Sequence, residues 1–452
     1  MTTEIQRTAL YNEVMDVYAN CDRNTNVFYK AQVISGTLVY DPIEVVSVMV
    51  QRDYADNFAD EMSITLKIPL GKYAYKIYPN RTKLNISIQR IALDEQGNKL
   101  LDAKIQTALY AAVLIEEGPA PVELQGTEAK SEEALDVLRL LDVKFQIYDQ
   151  AIERMRYVQI GSIYRKTDVE SIIKGLLTNV SAALKGFSKE GAIKSVEMVP
   201  ANNQVVKEQI IIPQGVSITD LPGYLQDRYG VYNADLGTYV QDRCWYVYPL
   251  FDTNRYRKAT KTITIYLLPP NKFPEVERSY RKQGDSIAIL SNNKTDFQKD
   301  NDINYIVAGN GVRYVDAGIV MEGYTTSTGN KTTVDKAAIA NEFTSSKQGS
   351  GLTNAPISDK KITANPFVEF SKLARRKGGI FKATWINSDP GSLTPGMTAR
   401  MVYAIDDTLH EAYGVLIGGT HITVKVGGTG ADKHATNSML YFFANLNVGG
   451  TE

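Results

Sequence analysis

Between residues 62 and 68, Met62, Ile64, Leu66 and Ile68 interleave with Ser63, Thr65 and Lys67. Side chains on a strand point alternately to opposite faces, so this pattern describes a strand with one face in a core and the other in water. Leu84, Ile86 and Ile88 repeat it against Asn85, Ser87 and Gln89. Runs rich in β-branched residues at 33–40 and 45–50 predict further strands, and 105–114 another. With turns at Asp41-Pro42 and Pro79-Asn80, these elements predict a first β-domain built as a sandwich or small barrel.

The chain has 452 residues, beyond the roughly 250 to 300 at which single cores stop growing, so several domains are expected. Its 50 basic and 51 acidic residues give a net charge of −1, which leaves no global field for nucleic acid or an anionic membrane. The basic cluster Lys372, Arg375, Arg376 and Lys377 reads as solvated surface. Cys21 and Cys244 offer neither a disulfide framework nor thiolate metal spacing. The N-terminus has no apolar core of signal length, and no apolar run approaches the ~18 residues of a membrane span. Neither export by a signal peptide nor membrane insertion is expected.

After the first strands comes an acidic loop over 115–135. Strands at 143–148 and 157–164 are expected to return to the same sheet. Thr167 and Glu170 are spaced as a capping box for a helix whose apolar face is Val169, Ile172, Ile173, Leu176, Leu177 and Val180. A short helix with Thr219 or Asp220 as cap, Pro222 in its first turn and Gly230 as its stop follows. The stretches 244–250 and 263–267, separated by Asp252-Thr253-Asn254, predict a hairpin. Residues 284–363 are polar, with strand candidates at 305–307 and 319–321, and predict an irregular decorating subdomain. Strand character returns at 380–385, 398–403, 421–426 and 439–444.

The fold class is thus a β-rich α+β, multidomain protein. Its expected units are a first β-domain over 1–165, a mixed α/β segment over 166–283, a polar peripheral subdomain over 284–375, and a second β-domain over 376–452 completed by earlier strands.

Little in the sequence points to catalysis. Only His410, His421 and His434 occur, none at helical or turn spacing for zinc. Gly309 to Gly318 lacks the Lys-Ser/Thr ending of a phosphate loop, and Gly418-Gly419 before a strand reads as a backbone feature. Asp406-Asp407 at an expected turn and Glu132-Glu133 in the acidic loop are ordinary sites for solvated carboxylates. No catalytic residue, metal ligand or cofactor is expected, and the chain reads as a non-enzyme. Tyrosine is abundant, 27 against 13 Phe, and clusters at Tyr224, Tyr229, Tyr232, Tyr239, Tyr246 and Tyr248. That enrichment fits a protein interface and strand preference equally.

Three stretches carry a resemblance. Ile212-Pro213 runs through Ser217, Leu221 and Tyr224-Leu225 to Tyr246-Val247-Tyr248; Leu393-Thr394-Pro395-Gly396 precedes a strand; and Val415-Leu416-Ile417, Thr420 to Val426 and Ser438 to Asn445 close the chain. In this order they resemble the central hub protein of the baseplate of contractile-tailed bacteriophages. The resemblance implies a structural protein of the virion tail baseplate, made and assembled in the bacterial host cytoplasm. It implies a homotrimer in which two tail-tube-like antiparallel β-barrel or sandwich domains per chain form a pseudo-six-fold ring. The implied partners are the chain itself, the tail tube or its initiator, the central spike and neighbouring baseplate proteins, with DNA only as cargo. Met62, Ile64, Leu66, Ile68, Leu84, Ile86 and Ile88 are then expected in the ring wall. Another tail, neck or tube-initiating component, the hub of a related contractile injection machine, and a glycan-cleaving or glycan-binding tail protein are the alternative readings.

Overall fold

A computed structural model describes residues 2–22, 26–93, 106–115, 139–184, 193–267, 279–291, 297–299, 379–405, 408–427 and 433–444, with five short strands between 312 and 354. The chain opens with helix α1 (Thr2–Ala19). Strands β1 (Asn26–Ser35), β2 (Leu38–Tyr40), β3 (Glu44–Asp53), β4 (Glu61–Pro69), β5 (Leu84–Leu93), β6 (Gln106–Leu114) and β7 (Leu140–Tyr148) follow. The mixed middle holds α2 (Gln150–Met155), β8 (Gln159–Thr167), α3 (Val169–Leu184), β9 (Ser195–Met198), β10 (Lys207–Ser217), α4 (Leu221–Tyr229), β11 (Leu236–Gln241) and β12 (Cys244–Pro249). Then come β13 (Thr262–Leu267), β14 (Tyr280–Gln283), β15 (Ser286–Ser291) and β16 (Phe297–Lys299). The short strands β17 (Val312–Tyr314), β18 (Thr325–Thr328), β19 (Lys331–Val334), β20 (Phe343–Thr344) and β21 (Thr353–Asn354) pair among themselves. The last elements are β22 (Gly379–Trp385), β23 (Thr398–Ile405), β24 (Thr408–Lys425) and β25 (His434–Ala444).

The strand pairings close an eight-membered circuit, β24-β3-β4-β7-β6-β5-β1-β25 and back to β24. This is the first barrel. Its core takes one side chain in two from three of these strands: Ile64, Leu66 and Ile68 from β4, Leu84, Ile86 and Ile88 from β5, and Val143, Phe145 and Ile147 from β7. Each such side chain contributes about 1.5–3 kcal/mol on burial, so the alternation seen in the sequence is the direct cause of this barrel.

The second barrel runs β14-β15-β13-β23-β24-β25-β22. Its rim is drawn together by side chains: the Ser291 hydroxyl donates to the Thr384 carbonyl at 2.8 Å, and the Tyr280 and Trp385 rings meet edge to face at 5.2 Å. Ile263, Ile265, Ile289, Trp385, Met401 and Phe442 fill its core. Helix α1 lies on the outside of this barrel, where Val14 and Val17 pack on Tyr266, Leu290 and Val402.

The two barrels share the long β24–β25 hairpin. Residues 408–415 of β24 pair with β23, the register slips between Leu416 and Gly418, and residues 418–424 pair with β3. From Gly414 to Lys425 β24 also pairs with β25 on its other side, while β25 passes from β22 to a single register contact with β1 at His434 and Val27.

The third unit is a mixed layer in which α3 and α4 pack with the β8–β10 ribbon and the β9-β12-β11 sheet around Ile173, Leu177, Leu225, Tyr232 and Trp245. Three expectations change here. β8 does not return to the first sheet, because it pairs with β10. The α3 cap is Asp168, whose carboxylate accepts the Ser171 N–H at 2.8 Å and its hydroxyl at 2.7 Å. Burial opposes ionisation of Asp168, but those hydrogen bonds outweigh it and hold its pKa below the usual carboxylate range. Thr167 closes β8 instead, and Glu170 accepts from the Ala201 N–H and Lys174. The expected 244–250/263–267 hairpin is replaced by two separate strands: β12 lies between β11 and β9, and β13 runs parallel to both β15 and β23. A 3-10 turn over Thr253–Lys258 carries the chain from one unit to the other. The strand candidates at 305–307 and 319–321, the Lys372–Lys377 cluster, Asp406-Asp407 and Glu132-Glu133 lie outside the described residues.

Candidate functional site

The three units meet at the mouth of the first barrel. Strand β3 carries Arg52 inward, and the turn after it carries Tyr54 and Asp60. Strand β11 brings Tyr239 and Gln241 from the mixed unit, and the loop before β23 brings Pro390 and Leu393 from the second barrel. Arg52, only 7 % exposed, faces Asp60 at 3.3 Å and donates to the Pro390 carbonyl at 2.9 Å. The Tyr239 hydroxyl donates to Asp60 Oδ1 at 2.8 Å. Tyr54 donates to Gln241 Oε1 at 2.9 Å, and Gln241 Nε2 donates to the Leu393 carbonyl at 2.6 Å. A parallel bridge between Ala59 and Val240 adds a backbone tie.

Burial pushes the Asp60 carboxyl up despite the neighbouring Arg52 charge. Burial alone would lower Arg52; the Asp60 charge outweighs it and the guanidinium is raised. His421, on the barrel wall, is driven down to about 3 by burial and by Arg52, so it is neutral at physiological pH. Its Nδ1 shares a hydrogen bond with Ser438 Oγ at 2.7 Å.

Beside this network lies a cavity of about 810 Å3, lined by Met62, Ile88, Arg90, Tyr110, Asp242 and His421 among others. Arg90 faces Asp389 across it at 3.6 Å. The β11–β12 turn forms part of its wall, with Asp242 and Arg243 both at positive φ, the geometry of a tight two-residue hairpin turn. Two ion pairs, Arg52 with Asp60 and Arg90 with Asp389, stand here. Such an arrangement braces three pieces of chain together; Asp60 is held between a guanidinium and a phenol, and the neutral His421 is bound to a serine.

The structure separates the sequence candidates cleanly. Ile64, Leu66, Ile68, Leu84, Ile86 and Ile88 point into the first barrel core, with Ile88 also lining the cavity, and Met62 packs against that core and lines the cavity too. β4 and β5 are not neighbours; β7 and β6 stand between them. Of the clustered tyrosines, Tyr232, Tyr239 and Tyr248 are buried between parts of one chain. Tyr248 donates to the Tyr54 carbonyl at 2.9 Å, and its ring fills space beside Gly237 and Gly396, where a Cβ would collide with it. The Leu393–Gly396 turn singled out in the sequence is therefore a clamp on Tyr248. His410 is exposed and stacks on Tyr403 at 5.7 Å, and His434 Nε2 donates to the Val45 carbonyl at 2.9 Å. Among the described residues, no three His, Cys, Asp or Glu side chains converge on a metal-sized site, and no helix is long and apolar enough to cross a membrane. Sequence reasoning missed Arg52 and Asp60, for which the sole local signal was charge on residues flanking a strand.

No family model and no curated protein matches the chain. Among solved structures, it is similar to the 43 kDa tail protein of prophage MuSo2 from Shewanella oneidensis, with 10% identity, a TM-score of 0.48, and coverage of 92% of this chain and 98% of that one. It is similar to a chain of the Francisella PdpA-VgrG complex, with 10% identity, a TM-score of 0.40, and coverage of 100% of this chain and 63% of that one. It is also similar to an E. coli component of the type VI secretion system, described as structurally similar to bacteriophage T4 tail proteins. There the identity is 8%, the TM-score 0.40, and the coverage 93% of this chain and 78% of that one.

Proposed function

We propose that this chain is a structural hub subunit of a phage-type contractile tail, a homotrimer that joins the tail tube to a central spike and acts by association, not catalysis. The observation that carries the reading is the pair of barrels fused through one hairpin. A three-fold body meets a six-fold tube only if each chain offers two comparable modules side by side, and this chain has two barrels locked in fixed relation. The outward faces of β4 and β5 carry Ser63, Thr65, Lys67, Asn85, Ser87 and Gln89, polar surface suited to a water-filled channel through which DNA passes. In this reading Met62 to Ile68 and Leu84 to Ile88 form the ring wall, with the mixed unit contacting neighbouring baseplate proteins.

The test is the mass of the purified chain in solution, followed by negative-stain imaging. A species at three times the 50.1 kDa chain mass, with ring-shaped top views, is expected. A chain that stays at single mass up to its highest attainable concentration overturns the reading.

A further inference from the structure

The two edges of the β8–β10 ribbon are treated differently. On β10, the Ile211 N–H donates to the Tyr229 hydroxyl at 2.8 Å, and the Tyr224 hydroxyl donates to the Ile211 carbonyl at 3.2 Å. Both tyrosines come from α4, so that edge is capped by side chains at Ile211. The same bonds fix the orientation of the other strand. Ile211 sits opposite Ile163, and since its backbone groups turn away from β8, those of Ile163 turn away from β10. The Val158 carbonyl accepts from the Ile218 N–H, so the even-numbered residues of β8 face β10 and the odd-numbered ones face outward. Gly161, Ile163 and Arg165 therefore present a row of N–H and C=O groups along an edge with which no other described strand pairs.

The side chains on that row match the backbone. Ile163 is 59 % exposed and Ile211, beside it across the ribbon, is 46 % exposed, an apolar pair at the centre of the outer face. Between Glu153 and Asp168 the chain holds Arg154, Arg156, Arg165 and Lys166 and no acidic residue, while Lys207 and Glu208 on β10 offset each other. Open strand edges template pairing with another chain, and proteins guard those they do not use. Here one edge is capped at Ile211, and no other described strand pairs with its twin, which has Ile163 at the middle and Arg156 and Arg165 towards its ends.

We propose that the outer edge of β8 is a strand-addition site for an extended, acidic segment of a partner protein, which pairs with Gly161–Arg165 and sets an apolar residue beside Ile163. Main-chain bonds supply the affinity and the flanking cations select the partner. The site is on the mixed unit, and its test does not depend on the number of copies in the assembly.

The experiment uses the full chain and a short synthetic peptide of alternating Glu and Val, read by residue-resolved amide exchange and fluorescence anisotropy. In the free chain the amides of Gly161, Ile163 and Arg165 are expected to exchange faster than those of Ile160, Ser162 and Tyr164, and the peptide is expected to slow the first three. An N-methylated copy of the peptide, a Lys-Val counterpart, and the Ile163→Asp and Arg165→Glu variants are each expected to weaken binding about tenfold or more. Both substitutions lie on the exposed face, and the N-methyl arm needs no change to the protein. The proposal is overturned if the three amides are already protected in the free chain, if the peptide leaves them unprotected, or if N-methylation or reversal of peptide charge makes no difference.

Discussion

Arg52 and Asp60 illustrate how much of this molecule rests on a few buried polar contacts. Neither carries a motif, yet together with Tyr239 and Gln241 they tie all three units at one point. Removing one partner of a buried pair leaves an uncompensated charge, so Asp60→Leu is expected to cost about 3–5 kcal/mol in chemical denaturation. A loss under about 1 kcal/mol, the range of exposed pairs, would mean that Arg52 finds water. His421 adds a pH dependence. Its folded pKa lies below the unfolded value, so folding favours the neutral ring and stability falls as pH drops from about 6.5 towards 3. Asp60 acts in the opposite sense, because its raised carboxyl favours folding on acidification. The comparison that isolates the histidine is wild type against His421→Gln, with the slope of stability between pH 6.5 and 4 flatter in the variant by up to about 1.4 kcal/mol per unit. At this scale the sequence was informative about apolar residues and silent about polar ones. The burial of Ile64 or Phe145 follows from local alternation, whereas the phenol that Asp60 meets, Tyr239, comes from a strand more than a hundred residues away.

Strand β24 is the element on which the architecture turns. Its N-terminal half belongs to one barrel and its C-terminal half to the other, and the register slip beside Gly418 marks the passage. A Cβ at Gly418 would collide with the Arg52 carbonyl oxygen, so backbone approaches backbone there too closely for any side chain. Gly418→Ala is expected to destabilise by about 1–3 kcal/mol, from forced backbone displacement. Gly36→Ala has open space around its Cβ but a positive φ, so it loses stability through conformation without overlap. Crystal structures of both variants check the difference, with β3 displaced from β24 only in the first. The strands at 398–403, 421–426 and 439–444 were legible because period two is a local property. The false hairpin at 244–267 has the same origin: proximity in sequence suggested pairing, but both strands found better-buried partners elsewhere.

For the whole molecule, sharing a hairpin and a buried junction means that the units should not unfold independently. The two tryptophans test this, since Trp245 lies in the core of the mixed unit and Trp385 in that of the second barrel. In the single-tryptophan variants Trp245→Phe and Trp385→Phe, the denaturant midpoints read by the remaining indole are expected to coincide. Adding Asp60→Leu is expected to separate them, because it cuts the tie between the units; separated midpoints in the parent variants would show that the junction transmits little. The sequence by itself determined that the chain would be β-rich, that Met62 to Ile68 and Leu84 to Ile88 would each turn one face to a core, and that a helix would start near residue 168. Each of these is written in the order of neighbouring side chains. Only the tertiary structure decided that one hairpin serves two barrels, that Tyr239 and Tyr248 brace the chain's own units, and that no other described strand pairs with the outer edge of β8. Those outcomes depend on which distant strands pair and in what register, a choice made by the total burial and hydrogen bonding of the assembled fold.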